Sequence, residues 1–284
     1  MKGKIRLITV TGSRTNTLWH MLNHYKDIVD DMYVVVYEWD GMSTYTEVDI
    51  IVSQFPNAKI IRRETKEKFN WEYVTKLYND AKNLYPNDWW IVSDDDEFHI
   101  YSKPLKQIIK DCEDNGWELV RGGFIDRVGI DGTFPKIDKY KNIFEQFPLA
   151  GFFRYPMSGA CPNKVCIMKG HIEITPGQHY AKINEHTTWG WQGWNHPLIA
   201  PIGEYNVQVH HFKWDSTCVD RIKAVADTKQ KYSYSDEYLK MYNALRKTNY
   251  EIDIMNKDYM IEDIGIDYSG YTKWNKLLNK IISI

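Results

Sequence analysis

Short apolar runs and helix-period segments alternate through the first half of the chain. Lys4–Thr11 (KIRLITVT) reads as a strand. Leu18, Met21, Leu22 and Tyr25 then fall at i, i+3, i+4 and i+7, one face of a helix. Tyr33–Tyr37 and Ala58–Ile61 read as the next two strands. Asn70 is placed to cap a helix that carries Trp71, Val74, Leu77, Ala81 and Leu84 on one side. Asp88–Ser93 (DWWIVS) is a fourth strand. Ser102 opens a helix with Leu105, Ile108, Ile109 and Cys112 inward, closed by Asn115-Gly116, and Trp117–Phe124 returns as a strand. Strand–helix alternation of this kind predicts an α/β fold, a mostly parallel sheet covered by helices on both faces.

The second half has a different texture. From Asp126 to about Pro148 periodic runs are few and turn signals frequent, the mark of a functional loop inside a compact domain. Lys164–Met168, Ile172–Ile174 and Asn206–Phe212 are short strands, Ser216 caps a helix with Val219, Ile222 and Val225, and the segment after Tyr234 is charged and helical. The expected organisation is one α/β domain over 1–284, with a ligand-binding half at 1–125, a second half at 126–232 and a C-terminal helical extension at 233–284.

Composition narrows the class. Lys plus Arg number 36 against 38 Asp plus Glu, a formal net charge of −2, which lacks the basic footprint of a general nucleic-acid binder. The chain has 43% hydrophobic and 26% charged residues, ordinary for a soluble globular protein. No apolar run is long enough for a membrane span, and the first residues lack the apolar region of a signal peptide, so a soluble cytoplasmic protein is expected. Cys112, Cys161, Cys166 and Cys218 form no CxxC pair and read as reduced, packed residues. The 11 Trp and 20 Tyr are numerous enough to supply flat binding faces as well as core.

The candidate chemistry lies where the fourth strand runs into Asp94-Asp95-Asp96-Glu97-Phe98. In an open α/β sheet, ligands bind outside the carboxyl ends of strands. On an extended backbone Asp94 and Asp96 would face one side and Asp95 the other. Two carboxylates that close repel, and a divalent cation, Mn²⁺ or Mg²⁺, held by them with a diphosphate completing its shell, relieves the repulsion. Thr11 and Arg14 at the end of the first strand, and Glu38 and Asp40 at the end of the second, lie on the same expected edge. Arg62, Arg63 and Lys68 offer positive charge for a diphosphate.

WWIVSDDDEF resembles the strand and D-x-D motif of GT-A-fold glycosyltransferases, in particular the family-2-like group with a D-x-D-E-F signature. Thr11-Gly12-Ser13-Arg14 resembles that group's first nucleotide-contacting turn. Phe144-Glu145-Gln146-Phe147 resembles its E-x-F element, and Gly177-Gln178-His179-Tyr180 and His210-His211-Phe212 resemble its two His-bearing strands. The likeness extends from about Lys4 to Ile222. It implies a GT-A (Rossmann-like) fold with a nucleotide-sugar half and an acceptor-side half. The implied activity is a metal-dependent transferase that moves a sugar from a UDP- or GDP-linked donor to a glycan or other hydroxyl acceptor. By this resemblance Asp96 ligates the metal, Asp94 contacts the ribose or the metal, Asp95 belongs to the donor site, and His211 is the third protein ligand. On a strand His210 and His211 point to opposite faces, so either one, but not both, suits a single metal. Glu145, His179, Glu185 and Asp215 are candidates for the base at the acceptor hydroxyl. Trp189, Trp191 and Trp194 are candidates for an acceptor platform, although the acid pair that follows such a stretch in several inverting relatives is missing after Trp194.

Other classes fall away. The chain has no G-x-G-x-x-G after the first strand, no Walker A motif, no H-E-x-x-H and no G-x-S-x-G, and His171-x-Glu173 lacks a following P-C-x-x-C. The alternatives that remain are a metal-dependent nucleotide-sugar pyrophosphatase or phosphoesterase, and a non-catalytic carbohydrate-binding module.

Overall fold

The computed structural model describes residues 3–12, 14–39, 41, 43–151, 153, 157, 163–183, 196–227 and 235–254, and the backbone of 186–187. Along the chain the elements are β1 (Ile5–Thr11), α1 (Leu18–Tyr25), β2 (Asp31–Trp39), α2 (Tyr45–Val52), β3 (Ala58–Lys66), α3 (Trp71–Lys82), β4 (Trp89–Val92), β5 (Glu97–Tyr101), α4 (Leu105–Asn115), β6 (Leu119–Val128), α5 (Ile143–Gln146), β7 (Leu149–Gly151), β8 (Asn163–Lys169), β9 (Glu173–Ile174), β10 (Ala181–Ile183), β11 (His186–Thr187), α6 (Ile202–Tyr205), β12 (Val207–His211), α7 (Cys218–Asp227) and α8 (Ser235–Lys247). They form two compact units, 1–123 with 163–209, and 124–162 with 210–284.

The first unit is a mixed α/β sheet flanked by helices, with strand order β3-β2-β1-β4-β8-β6-β12-β5. β1 pairs in parallel with β2 and β4, and β2 with β3. β4 and the first residues of β6 then take β8 antiparallel. The run Met32–Tyr37 is buried throughout, as a strand covered on both faces must be, whereas the outermost β3 alternates charged and partly exposed residues. The Asn70 side chain accepts from the Tyr73 amide at 2.8 Å and starts α3. Gly116, at φ 72°, closes α4. Pro104 holds an extended ψ of 131°, so α4 begins at Leu105 and not at Ser102.

The two units are not contiguous in the chain. Residues 163–209 fold with the first unit because β8 inserts between β4 and β6, a pairing that no local pattern encodes. In the second unit, the end of β6 pairs with β7 in register Asp126↔Gly151. Its core gathers Phe153, Trp214, Cys218, Ile222, Met241, Leu245 and Ile252. α8 is therefore part of that core, buried through Met241 and Leu245, and not an appended tail. Among the described residues no helix is long and apolar enough to cross a membrane, and Cys112, Cys166 and Cys218 are buried thiols.

Lys82 on α3 is fully buried with its ammonium on the Ile172 carbonyl, and burial pushes its pKa down to about 7. The folded protein thus releases this proton near pH 7, while the unfolded chain keeps it to about 10.4. Between those values the unfolded state binds more protons, so this contribution to stability is full at high pH and is lost as pH falls toward 7. The expected loss is on the order of 2–4 kcal/mol from pH 10 to 7, and Lys82→Met should remove it. Urea unfolding of both proteins at the two pH values measures the difference; parallel behaviour would refute it.

Candidate functional site

The site is built where β1 and β4 end. β2 and β3 lie to one side of β1 and β4 to the other, so the crevice beyond the carboxyl ends of β1 and β4 is a topological switch point. The parallel register sets Ile8 against Val92, and continuing it three residues brings Thr11 abreast of Asp95. The Thr11 hydroxyl donates to Asp95 Oδ2 at 2.6 Å. Arg14, next on the same loop, is ion-paired with Asp96.

The acids do not lie on an extended backbone as the strand reading has it. The chain turns at Asp95–Asp96, the Glu97 amide donating to the Asp94 carbonyl at 3.0 Å, and re-enters the sheet as β5. The turn sends the three carboxylates to different partners. Asp94 Oδ1 accepts from the Tyr78 hydroxyl at 2.7 Å and from Gln178 Nε2 at 2.9 Å. Asp95 takes Thr11, and Asp96 takes Arg14. Burial, with the charge of Asp96 next and Asp94 last, pushes the Asp95 carboxyl up to about 7 against the opposing pull of Arg14 and Thr11.

Beneath the turn lies a polar network that sequence reading missed. Glu97 on β5 and Lys164 on β8 form an ion pair at 2.8 Å, each side chain only 2% exposed. Lys164 also donates to the Gly177 carbonyl at 2.9 Å and to Gln178 Oε1 at 2.6 Å. One signal was available: a lysine inside the apolar run KVCIM of a central strand is a buried charge, which requires a partner.

Other expected residues of this unit have structural partners. Glu38 is buried, and its Oε1 receives the Thr44 amide and lies 2.9 Å from the Thr44 hydroxyl at the start of α2. It caps the loop before α2. Arg63 pairs with Asp49 at 2.5 Å, and Arg62 with Glu64 at 2.6 Å and Asp80 at 3.0 Å. They are paired at the surface of the sheet edge. Lys68 is exposed, its carbonyl accepting from Tyr37. His179 follows a single 3-10 turn (Pro176–Gln178) and does not lie on a strand. Its Nδ1 is 2.9 Å from the Asn163 carbonyl, and since a carbonyl only accepts, Nδ1 carries the hydrogen and Nε2 the lone pair. Asp40, Glu185, Trp189, Trp191 and Trp194 lie outside the described residues.

Glu145, His210, His211 and Asp215 belong to the second unit. Glu145 is exposed in the first turn of α5. His210 is buried and its Nδ1 accepts from Arg127 Nε at 2.9 Å, which puts its own hydrogen on Nε2. In this tautomer neither nitrogen offers a lone pair to a metal. His211 Nδ1 lies 3.3 Å from Asp126 Oδ1, which also accepts from Trp214 Nε1 at 2.9 Å. A carboxylate on Nδ1 of this kind fixes the orientation of the ring. Asp215 is fully buried, its Oδ1 accepting the Thr217 amide at 2.9 Å and hydroxyl at 2.6 Å. It holds the turn that starts α7.

Among the described residues no three His, Cys, Asp or Glu side chains are grouped to hold a metal. The acidic turn nonetheless suits a hard divalent cation that draws most of its ligands from phosphate and water. Its donors are carboxylate oxygens, drawn from four successive acids, Asp94 to Glu97, of which Asp96 pairs with Arg14 and Glu97 with Lys164. The raised pKa of Asp95 is a direct expression of that crowding and burial.

No protein-family model matches the chain, and no curated protein matches it. Among solved structures it is similar to the mannosyltransferase PcManGT from Pyrobaculum calidifontis in complex with GDP-Man and Mn²⁺, at 11% identity over 85% of this chain and 70% of that one, with a TM-score of 0.39. It is similar to TarS from S. aureus in complex with UDP, at 12% identity over 86% of this chain and 72% of that one, with a TM-score of 0.37. A 4-diphosphocytidyl-2C-methyl-D-erythritol synthase matches at 19% identity over 60% of this chain and 77% of that one, with a TM-score of 0.31. All three are distant likenesses.

Proposed function

We propose that the chain is a metal-dependent glycosyltransferase of the GT-A kind, which moves a sugar from a UDP- or GDP-linked donor to a hydroxyl of a glycan or other acceptor. One observation carries the reading: an acidic turn at the β1/β4 switch point, bonded through Asp95 and Asp96 to the polar turn that ends β1. Asp94 and Asp96 are the residues that would hold Mn²⁺ or Mg²⁺. When bound, the cation offsets the negative charge that develops on the departing diphosphate.

The chain's own groups have the remaining tasks. Arg14 adds positive charge beside the acids, suited to phosphate oxygens. The Thr11 hydroxyl and its bond to Asp95 fix the spacing between the two strand ends. His179, its ring oriented by the Asn163 carbonyl, is a candidate for the base at the acceptor hydroxyl.

Thermal unfolding with UDP, GDP and other nucleoside diphosphates, each with and without Mn²⁺, tests the reading. A nucleotide at a hundredfold its Kd adds about 2.7 kcal/mol, a rise of roughly 5 °C in Tm for a chain of this size. The rise is expected only with metal, and Asp96→Asn should abolish it. Stabilisation by free glycans, with no response to any nucleotide, would replace the transferase with the carbohydrate-binding alternative.

A further inference from the structure

Gln178 has a backbone its residue type seldom adopts. Its φ is 55° and that of Gly177 before it is 75°, so a side-chain-bearing residue sits in the left-handed region directly after a glycine already there. That conformation brings the Cβ of an L-residue close to its own carbonyl and needs compensation from the surroundings. Here the side chain is 3% exposed and both ends of its amide are bonded. Lys164 Nζ is 2.6 Å from Oε1, and Nε2 is 2.9 Å from Asp94 Oδ1.

The sense of this amide is determined by chemistry. An ammonium only donates, so the atom facing Lys164 is the carbonyl oxygen, and the NH₂ faces Asp94. Lys164 is itself held by Glu97 at 2.8 Å and by the Gly177 carbonyl at 2.9 Å. The chain Glu97, Lys164, Gln178, Asp94 thus runs from a buried ion pair to the acidic turn. Tyr78 reaches the same oxygen of Asp94 at 2.7 Å. Two donors on Oδ1 set the plane of the carboxylate and assign coordination to Oδ2.

We propose that Gln178 is a positioning residue for Asp94: clamped by Lys164, its carboxamide orients the carboxylate and so tunes the affinity of the acidic turn for a divalent cation. This rests on the reading of Asp94 as a metal-holding residue. Partners of this kind behind a ligand are typically worth about 10–100-fold in metal affinity.

The test titrates Mn²⁺ by electron paramagnetic resonance into the full chain with the nucleoside diphosphate that stabilises it, and follows Tm in parallel. Gln178→Met keeps the length and removes the donor. Gln178→Glu keeps the bond to Lys164 but turns an acceptor toward Asp94, and serves if the methionine variant fails to fold. Folded variants are expected to bind Mn²⁺ at least about tenfold more weakly, with an altered bound-Mn²⁺ spectrum. Affinity within twofold of wild type and an unaltered spectrum would overturn the role of Gln178, provided Asp94→Asn abolishes Mn²⁺ binding. If wild type binds no Mn²⁺, or Asp94→Asn binds it as well as wild type, the failure lies with the metal reading itself.

Discussion

Replacing Lys164 by methionine is expected to destabilise the protein by about 3–5 kcal/mol, because it strands a buried carboxylate. Glu97 and Lys164 stand 2.8 Å apart with 2% of each side chain exposed, so neither charge has solvent to fall back on. Removing the cation leaves Glu97 with the desolvation cost and without the attraction that offset it. The loss also removes the donor to the Gly177 carbonyl and to Gln178 Oε1. The double variant Lys164→Met, Glu97→Leu is expected to recover most of the loss, since two well-packed apolar side chains often match a buried ion pair. Urea unfolding of wild type, both single variants and the double variant gives the coupling. A single-variant cost below about 1 kcal/mol would mean that water or another group already screens the pair. The double variant also separates stability from positioning: it restores the core and leaves Gln178 without its ammonium.

The sheet core was legible because its signals are local. Trp89–Val92 is a bare apolar run between polar flanks, the Asn70 cap and the helix face behind it lie within four turns, and Gly116 marks its helix end by conformation. The acidic turn was legible as a cluster but not as a geometry. Its direction depends on β5, a strand whose first residue is a buried glutamate, and only the remote Lys164 makes that burial tolerable. Gln178 gave no signal at all, since its role depends on a left-handed turn and on two partners far away in the chain. The partners of Arg62 and Arg63 were hidden for the same reason: Asp80 on α3 and Asp49 on α2 reach them across the fold. For His210 and His211 the contacts come from β6, Arg127 bonding the one and Asp126 the other, and no local pattern around the two histidines announces either partner.

Asp94→Asn is expected to lower kcat on the order of 10³-fold while the protein remains as stable as wild type or becomes slightly more so. The two outcomes follow from one geometry. An asparagine Oδ1 still accepts from Tyr78 and Gln178, so the bonds at 2.7 and 2.9 Å survive and the turn keeps its shape. What disappears is a negative charge in a cluster where Asp94 and Asp96 both act, after burial, to hold the Asp95 carboxyl up at about 7. Stability therefore gains from reduced repulsion, while the site loses the carboxylate through which a cation would be held. Losing several kcal/mol of charge stabilisation in the transition state corresponds to about three powers of ten in rate. Three readings on one preparation check it: Tm without ligand, Mn²⁺ affinity with nucleoside diphosphate, and release of nucleoside diphosphate from the donor sugar. A variant that turns over within about threefold of wild type would remove Asp94 from the chemistry. A variant that loses activity together with several degrees of Tm would show instead that the carboxylate holds the turn and not a cation.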